Sequence, residues 1–329
     1  MQAKRCSAGV VVACLLFASL CLFFRANAED KLVAFYSPPA GGGAFTLVAG
    51  MVAVSNRFMG GGYLFVHEQT TGGMEVTRRL MAAEGRNKEA FGSFGATDGY
   101  NAYKGRVQYA GNPFPGIRAI VHNQMTDLIL AVPANSPIKT YYDVKGKRIG
   151  MGGPGSTVAT TAHITLDAYG VKKQDFKPYY FNNKDNIEGI QDGSLDGAFF
   201  AGGSPIAAVV ELATRKAARI VPVDEKIANE ITSAQPGYFT RILPGKTYKG
   251  VDQDTRIMGW SGVIFTHART SDDLVYRWLK NLFDHKEDYF AIHTEARALT
   301  LKDYNKDVMI PFHPGAEKYF KEMRVWKEQ

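Results

Sequence analysis

A glycine-rich turn followed by two hydroxyl residues is the feature of this sequence with the clearest chemical potential. The segment KGKRIGMGGPGSTVATTAHITLDAYG spans residues 145–170, and its short apolar strand runs into closely spaced glycines. Ser156 and Thr157 follow at the start of a predicted helix. A helix N-terminus carries unpaired N–H groups and the positive end of the helix dipole. The pattern therefore predicts a site that holds an anion.

Three other interpretations of this turn are weaker or purely structural. It formally contains G-x-G-x-x-G at Gly150 to Gly155, the fingerprint of dinucleotide binding, but Asp175 precedes the next predicted strand instead of ending it. A phosphate-binding loop would need Gly-Lys-Ser/Thr, which is absent. A tight turn that only caps the helix stays open beside ligand contact by Ser156 and Thr157.

Three more glycine-rich loops follow predicted strands in the first third of the chain. They span residues 37–45, 70–74 and 95–98, and each carries a hydroxyl or a carboxylate. Because the C-terminal ends of parallel strands share one edge of a sheet, we expect these loops to face one cleft. The candidate contacts are Gly42, Phe45, Thr71, Gly73, Met74, Thr97 and Asp98.

The second half of the chain offers three weaker candidates. Ser204 follows a predicted strand and precedes Pro205, which is typical of a helix start and equally of a binding turn. Tyr238 and Trp260 fit the wall of a pocket, although aromatic residues in apolar runs more often belong to the core. We include all three among the expected ligand contacts.

Composition argues against catalysis, metal binding and nucleic-acid binding. The three cysteines lie within the first 28 residues, so the rest of the chain lacks thiolate nucleophiles and cysteine-ligated zinc. The seven histidines show no metal-ligand spacing, and no G-x-S-x-G motif is present. The net charge of +7 is mild and contains no run of Lys and Arg. We therefore expect no catalytic residue, cofactor or metal, no nucleic-acid partner, and instead a small anionic solute.

The first 28 residues fit a secretory signal peptide. Lys4 and Arg5 form a basic region, residues 7–24 are almost entirely apolar, and residues 26–28 fit a cleavage site. The apolar run is short for a membrane span, which needs about 20 residues. A retained membrane anchor and a lipoprotein site at Cys14 are the alternatives. We expect export to the periplasm.

Strand, loop and helix alternate along the chain, which predicts a parallel sheet with helices on both faces. The same pattern predicts a strand at 127–133, a helix at 204–215 and a helix at 272–288 with Ser271 as its N-cap. We expect an α/β fold of two doubly wound lobes around a cleft, joined by two crossovers. Lobe I would contain residues 29–133 and 256–329, and lobe II residues 134–255. Loops at the C-terminal ends of the strands would then face the cleft.

Four segments carry a resemblance to a known family. They read DVKGKRIGMGGPGS, IQDGSLDGAFFAGGSP, LPGKTYKG and PFHPGAEKYFKE, at residues 143–156, 190–205, 243–250 and 311–322. In their order and spacing the chain resembles the TAXI-type solute receptors of tripartite ATP-independent periplasmic (TRAP) transporters. The resemblance implies a type II periplasmic binding protein, whose lobes close on a small carboxylate and present it to TRAP permease membrane subunits.

Several positions depart from that family's pattern. The first loop usually reads Gly-Gly-Thr-Tyr-Tyr, whereas this chain has Gly-Gly-Gly-Ala-Phe at residues 41–45. Met74 replaces a serine of the second loop, and Thr157-Val158 replaces the Gly-Thr that usually ends the glycine turn. These changes predict a solute with a larger apolar part than glutamate that still carries a carboxylate or sulfonate.

The expected function is that of a monomeric periplasmic receptor, which binds a small organic anion by hinge closure and delivers it to a TRAP-type permease. A ligand-sensing receptor for a signalling system or for another uptake system is the main alternative. An enzyme on the same scaffold is a third, less favoured interpretation.

Overall fold

The computed structural model describes residues 30–40 and 42–328 of the chain. The predicted signal peptide, residues 1–28, lies outside these ranges. Within them, no helix is both long and apolar enough to cross a membrane.

The described chain folds into one mixed sheet of ten strands with helices packed on it. The strands are β1 Lys31–Ser37, β2 Tyr63–Gln69, β3 Ala90–Gly95, β4 Ile117–Pro133, β5 Arg148–Gly150, β6 Lys177–Tyr179, β7 Gly197–Gly202, β8 Ala218–Ile220, β9 Tyr238–Leu243 and β10 Thr255–His267. The α-helices are α1 Gly43–Phe58, α2 Gly73–Gly85, α3 Ala96–Lys104, α4 Thr157–Ala168, α5 Asn183–Asp192, α6 Ala207–Arg215, α7 Glu225–Ala234, α8 Asp272–Asp284, α9 Lys286–Phe290 and α10 Pro314–Glu322.

The order of the strands confirms the predicted α/β architecture. Along the sheet the order is β2-β1-β3-β10-β4-β7-β5-β6, with β8 paired to β4 and β9 paired to β10. β1 pairs in parallel with β2 and β3, and β5 pairs in parallel with β6 and β7. Two long antiparallel strands, β4 and β10, lie at the centre and join these two parallel sets.

Three apolar clusters form the core. The first draws its buried residues from 33–121 and 263–320, and the other two draw theirs from 128–260. β4 and β10 contribute to the first cluster at one end and to the others at the opposite end. The chain therefore passes between two packed regions along two neighbouring strands, which is where a hinge would lie.

Several element boundaries differ from those predicted. The strand expected at 127–133 begins ten residues earlier, at Ile117, because the preceding residues are also buried within the sheet. The helix expected from Ser204 begins at Ala207, with Ile206 as its N-cap. The long helix expected at 272–288 divides at His285 into α8 and α9. Its predicted N-cap is confirmed, since Ser271 accepts a hydrogen bond from Leu274 N–H.

Candidate functional site

A cavity of about 140 Å³ lies at the ends of the parallel strands, where five helices begin. The N-cap residue of each of these helices lines it: Gly42 for α1, Gly72 for α2, Gly95 for α3, Ser156 for α4 and Asn182 for α5. Each helix follows the C-terminal end of a parallel strand, so the sheet delivers the helix starts to a common edge. The cavity is thereby surrounded by orphan backbone N–H groups.

The electrostatics of this cavity come from the backbone. Its lining in the described chain contains no Lys, Arg, His, Asp or Glu side chain. The positive ends of five helix dipoles point toward it, and such ends favour negative charge. Neutral hydrogen-bonding side chains supplement them, including those of Gln124, Thr126 and Asn182. The arrangement can hold an anionic group without a cationic side chain.

Ser156 combines the two roles that the sequence left open. Its Oγ caps α4 by accepting from Ala159 N–H at 3.2 Å, and it donates to Gly153 O at 2.7 Å. The same residue lines the cavity, as do the predicted contacts Gly42, Gly73, Thr157 and Trp260. A helix cap and a cavity wall are therefore formed by one side chain.

The predicted contacts from the first two loops are only partly gathered at the cavity. Phe45 does not line it and packs against the His67 ring, with ring centroids 4.6 Å apart. Thr71 is exposed, and its N–H donates to Glu75 Oε2 at 2.7 Å. Met74 lies in an outer groove beside Gly155. These loops contribute mainly backbone to the cavity.

Thr97 and Asp98, in the first turn of α3, are buried behind the cavity wall. Thr97 Oγ1 donates to Pro236 O at 2.8 Å. Asp98 Oδ2 accepts from Thr157 Oγ1 at 2.6 Å, and Asp98 Oδ1 accepts from Gln108 Nε2 at 2.7 Å. Burial raises the pKa of Asp98, while the two donors oppose the rise. Both side chains are thus bonded to protein groups.

Ser204 and Tyr238 also lie away from the cavity lining. Ser204 N–H donates to Asp127 Oδ2 at 3.3 Å, and Ser204 Oγ accepts from Tyr248 OH at 3.3 Å. Tyr238 is 5% exposed, belongs to the second core cluster and accepts from Thr161 Oγ1 at 3.3 Å. Burial raises the pKa of Tyr238 well above its usual range. The core interpretation of this tyrosine accounts for its position.

The structure adds polar lining residues that sequence reasoning missed. Gln124 and Thr126 reach the cavity from β4, with Gln124 Nε2 donating to Thr126 Oγ1 at 2.9 Å. The sequence signal that could have identified them is the presence of polar residues inside the apolar run 117–133. Asn182 caps α5 by accepting from Asp185 N–H at 3.0 Å, and an Asn-Asn pair after a strand is a recognisable helix start.

A buried carboxylate beside the cavity was also missed. Glu295, in the short 3-10 helix Thr294–Ala298, lies against two glycines: a Cβ at Gly43 would be 2.5 Å from Glu295 Oε2, and a Cβ at Gly203 would collide with Oε1. Burial raises the pKa of Glu295 to about 7, with Asp127 adding to the rise and Arg241 opposing it. Within the described ranges, no group of three or more His, Cys, Asp or Glu side chains could hold a metal ion.

The fold, with its central mixed sheet between two packed regions, is shared by solved structures of bacterial proteins. The chain belongs to the NMT1-like family, whose model matches residues 38–323.

Solved structures similar to this chain include three bacterial proteins. MatC from Rhodopseudomonas palustris, with bound malate, has a TM-score of 0.55 and 12% identity over 82% of this chain and 89% of its own. XAC2383 from Xanthomonas citri, bound to ATP, has a TM-score of 0.51 and 8% identity over 90% of this chain and 98% of its own. The periplasmic aliphatic sulphonate binding protein SsuA from Escherichia coli has a TM-score of 0.46 and 14% identity, covering 89% and 79% of the two chains.

Proposed function

We propose that this protein is a periplasmic solute receptor, which closes two lobes around a small organic anion and delivers it to a membrane importer. Lobe I would comprise residues 29–133 and 256–329, and lobe II residues 134–255. The separate core clusters support this division, because the chain passes from the first cluster to the other two, and back again, near these boundaries. β4 and β10 would then be the hinge strands.

The observation that carries the proposal is the convergence of five helix N-termini on a cavity without charged lining side chains. Three of these helices, α1, α2 and α3, belong to lobe I, and α4 and α5 belong to lobe II. Neither lobe alone surrounds the cavity, so an anion bound there would gain contacts from both. A ligand that binds the closed form better shifts the population toward it.

The cavity wall also indicates what kind of anion would fit. Phe94, Val158, Phe181 and Trp260 supply apolar surface to the cavity wall. A carboxylate or sulfonate would lie at the helix starts, and an apolar part would pack on these side chains. The malate bound to MatC, which shares the fold, is itself a small carboxylate. The polar groups of the wall bind and orient, and the proposal assigns no chemical step to them.

Glycines allow the two lobes to meet closely around the cavity. A Cβ at Gly72 of lobe I would lie 2.7 Å from Ser156 Cα and 2.9 Å from Gly155 O of lobe II. A Cβ at Gly95 would lie 2.9 Å from Thr157 Cγ2. Contacts this close between the lobes correspond to the closed form of the proposed hinge motion.

We further propose the transporter class that the resemblance implies. The receptor would be a TAXI-type protein that works as a monomer with TRAP permease membrane subunits after export by its signal peptide. The glycine turn at 150–156, which belongs to one of the four segments that resemble the family, supports this assignment because Gly152, Gly153 and Ser156 line the lobe II side of the cavity.

A thermal-shift screen against carboxylates, sulfonates and amino acids tests the proposed binding. A solute that binds only the folded protein raises the melting temperature by mass action. We expect a hit among carboxylates or sulfonates with an apolar part. A screen in which no small anion raises the melting temperature would contradict the proposal.

Ser156→Ala is expected to weaken binding of the screened hit by about tenfold, because Ser156 Oγ holds both the first turn of α4 and Gly153 of the glycine turn, which line the cavity, and the variant loosens both. Isothermal titration calorimetry measures the change. Ser271→Ala is the matched control, since Ser271 caps α8 in the same way but lies outside the cavity lining. Both variants should lose about 1 kcal/mol of stability. Equal affinities in the two would remove Ser156 from the site.

A further inference from the structure

The first turn of α3 bonds to two separate segments across the cleft. Thr97 Oγ1 donates to Pro236 O at 2.8 Å, and Asp98 Oδ2 accepts from Thr157 Oγ1 at 2.6 Å. Thr97 and Asp98 belong to lobe I, and both partners belong to lobe II. Both lobe I residues are 2% exposed. Two adjacent buried residues therefore each make a hydrogen bond between the lobes.

Three glycines allow the backbone to approach these two hydrogen bonds closely. A Cβ at Gly237 would lie 2.7 Å from Thr97 Oγ1. A Cβ at Gly73 would lie 3.1 Å from Asp98 Oδ2, and one at Gly95 would lie 2.9 Å from Thr157 Cγ2. Side chains at these positions would push the bonded groups apart. The local sequence thus permits the short donor–acceptor distances.

The Asp98 carboxylate is oriented from its own lobe as well. Gln108, in the 3-10 turn Val107–Tyr109, donates through Nε2 to Asp98 Oδ1 at 2.7 Å, so each carboxylate oxygen has a donor. Thr157 is the first residue of α4, next to the cavity-lining Ser156. The bond from Thr157 to Asp98 therefore fixes the start of α4 relative to lobe I.

We propose that Thr97 and Asp98 form a closure latch, which stabilises the closed form of the receptor before solute binds. The proposal rests on the function proposed above, because a latch requires lobes that separate. In an open form the same groups would exchange their partners for water. The latch thus sets the open–closed ratio, and with it the apparent affinity for solute, although neither side chain contacts the solute. Both are positioning residues.

The test measures the distance between the lobes in the absence of any solute. Spin labels are placed at exposed positions by Gln69→Cys in lobe I and Lys184→Cys in lobe II, and double electron–electron resonance gives the distance distribution. All three native cysteines lie within the predicted signal peptide, so the exported protein used for labelling offers no other cysteine. The latch variant Thr97→Val/Thr157→Val keeps the shape of both side chains and removes both hydroxyls.

We expect a shorter and a longer distance in the wild type, and a short-to-long ratio at least about tenfold lower in the latch variant. Thr157→Ser keeps a hydroxyl and should stay near the wild-type ratio. Thr165→Val is the matched control, because buried Thr165 lies in the same helix and donates within it, to Thr161 O at 2.8 Å. Its ratio should not change. If the double variant does not fold, Thr157→Val alone carries the test.

The outcomes separate failure of the latch from failure of the receptor proposal. The latch is overturned if its variant keeps the wild-type ratio, if Thr165→Val changes the ratio equally, or if the wild type shows only the longer distance. Gly72→Ala, which places a side chain between the lobes, identifies failure of the receptor proposal. A single short distance in the wild type, the latch variant and Gly72→Ala would mean that the lobes do not separate, which contradicts the proposed function itself.

Discussion

Gly72→Ala is expected to weaken solute binding by more than about a hundredfold while the protein stays folded. The new Cβ would lie 2.7 Å from Ser156 Cα and 2.9 Å from Gly155 O. Both are backbone atoms, which cannot rotate away as a side chain can. The lobes would have to separate at the cavity, so the population competent to enclose a solute would fall, and the apparent affinity falls by the same factor.

Backbone strain is a second effect of this substitution and needs its own control. Gly72 has a φ of +151°, which residues with a side chain rarely adopt, and such strain costs about 1–3 kcal/mol of stability. Gly62→Ala also forces a side chain onto a positive φ, of +86°, but nothing lies within 4 Å of its Cβ position. The control should lose stability and keep its affinity.

Calorimetry with the hit from the thermal-shift screen measures the affinity, and small-angle X-ray scattering measures closure. We expect the radius of gyration of Gly72→Ala to stay unchanged when solute is added, whereas that of the wild type and of Gly62→Ala decreases. Wild-type affinity in Gly72→Ala would show that close approach of the lobes at this glycine is not needed for binding.

Local sequence signals indicated four of the five helix starts that form the cavity, and the start at Asn182 was missed. Gly42, Gly73, Ser156 and Thr157 were predicted because a glycine or hydroxyl residue between a strand and a helix is a pattern within a few neighbouring residues. The pattern does not say which side of the first helical turn faces the cavity. Successive helical residues point about 100° apart, so Gly42 lines the cavity while Phe45 contacts His67.

Gln124 and Thr126, which reach the site from the middle of β4, could not be assigned in this way. β4 carries a bulge at Asn123, because Val263 pairs with His122 and Gly262 with Gln124. A bulge changes the alternation of faces, and it depends on the pairing with β10, more than a hundred residues away. The cavity contacts of Gln124 and Thr126 follow from that long-range pairing.

Contacts between distant segments also determine where the side chains of Asp98 and Glu295 lie. Asp98 was expected to meet solute, and its partner Thr157 lies 59 residues further along the chain. Glu295 meets Gly43 and Gly203, which are far from it in sequence. Neither position has a local pattern that distinguishes it from an ordinary acidic residue near a helix start.

Glu295→Gln is expected to stabilise the protein at pH 8 and to have little effect at pH 5. Burial and the nearby Asp127 raise the pKa of Glu295 to about 7, against about 4.5 for an ordinary glutamate. The folded state therefore binds the proton more tightly than the unfolded state. The resulting stability is fully present below about pH 4 and is lost as the pH rises through 7. Above that, the ionised carboxylate costs the fold about 3 kcal/mol, which the amide avoids.

Urea unfolding at pH 5 and pH 8 measures this difference, with wild type and variant compared at each pH. Glu188→Gln is the control, because Glu188 is exposed on α5 and 3.9 Å from Lys184, and it should change stability by less than about 0.5 kcal/mol at both pH values. The variant's gain at pH 8 arises because Glu295 lies between α1 and the turn after β7, where charge is poorly solvated. A Glu295→Gln protein that is less stable than wild type at pH 8 would mean that Arg241 stabilises the charged carboxylate more than burial opposes it.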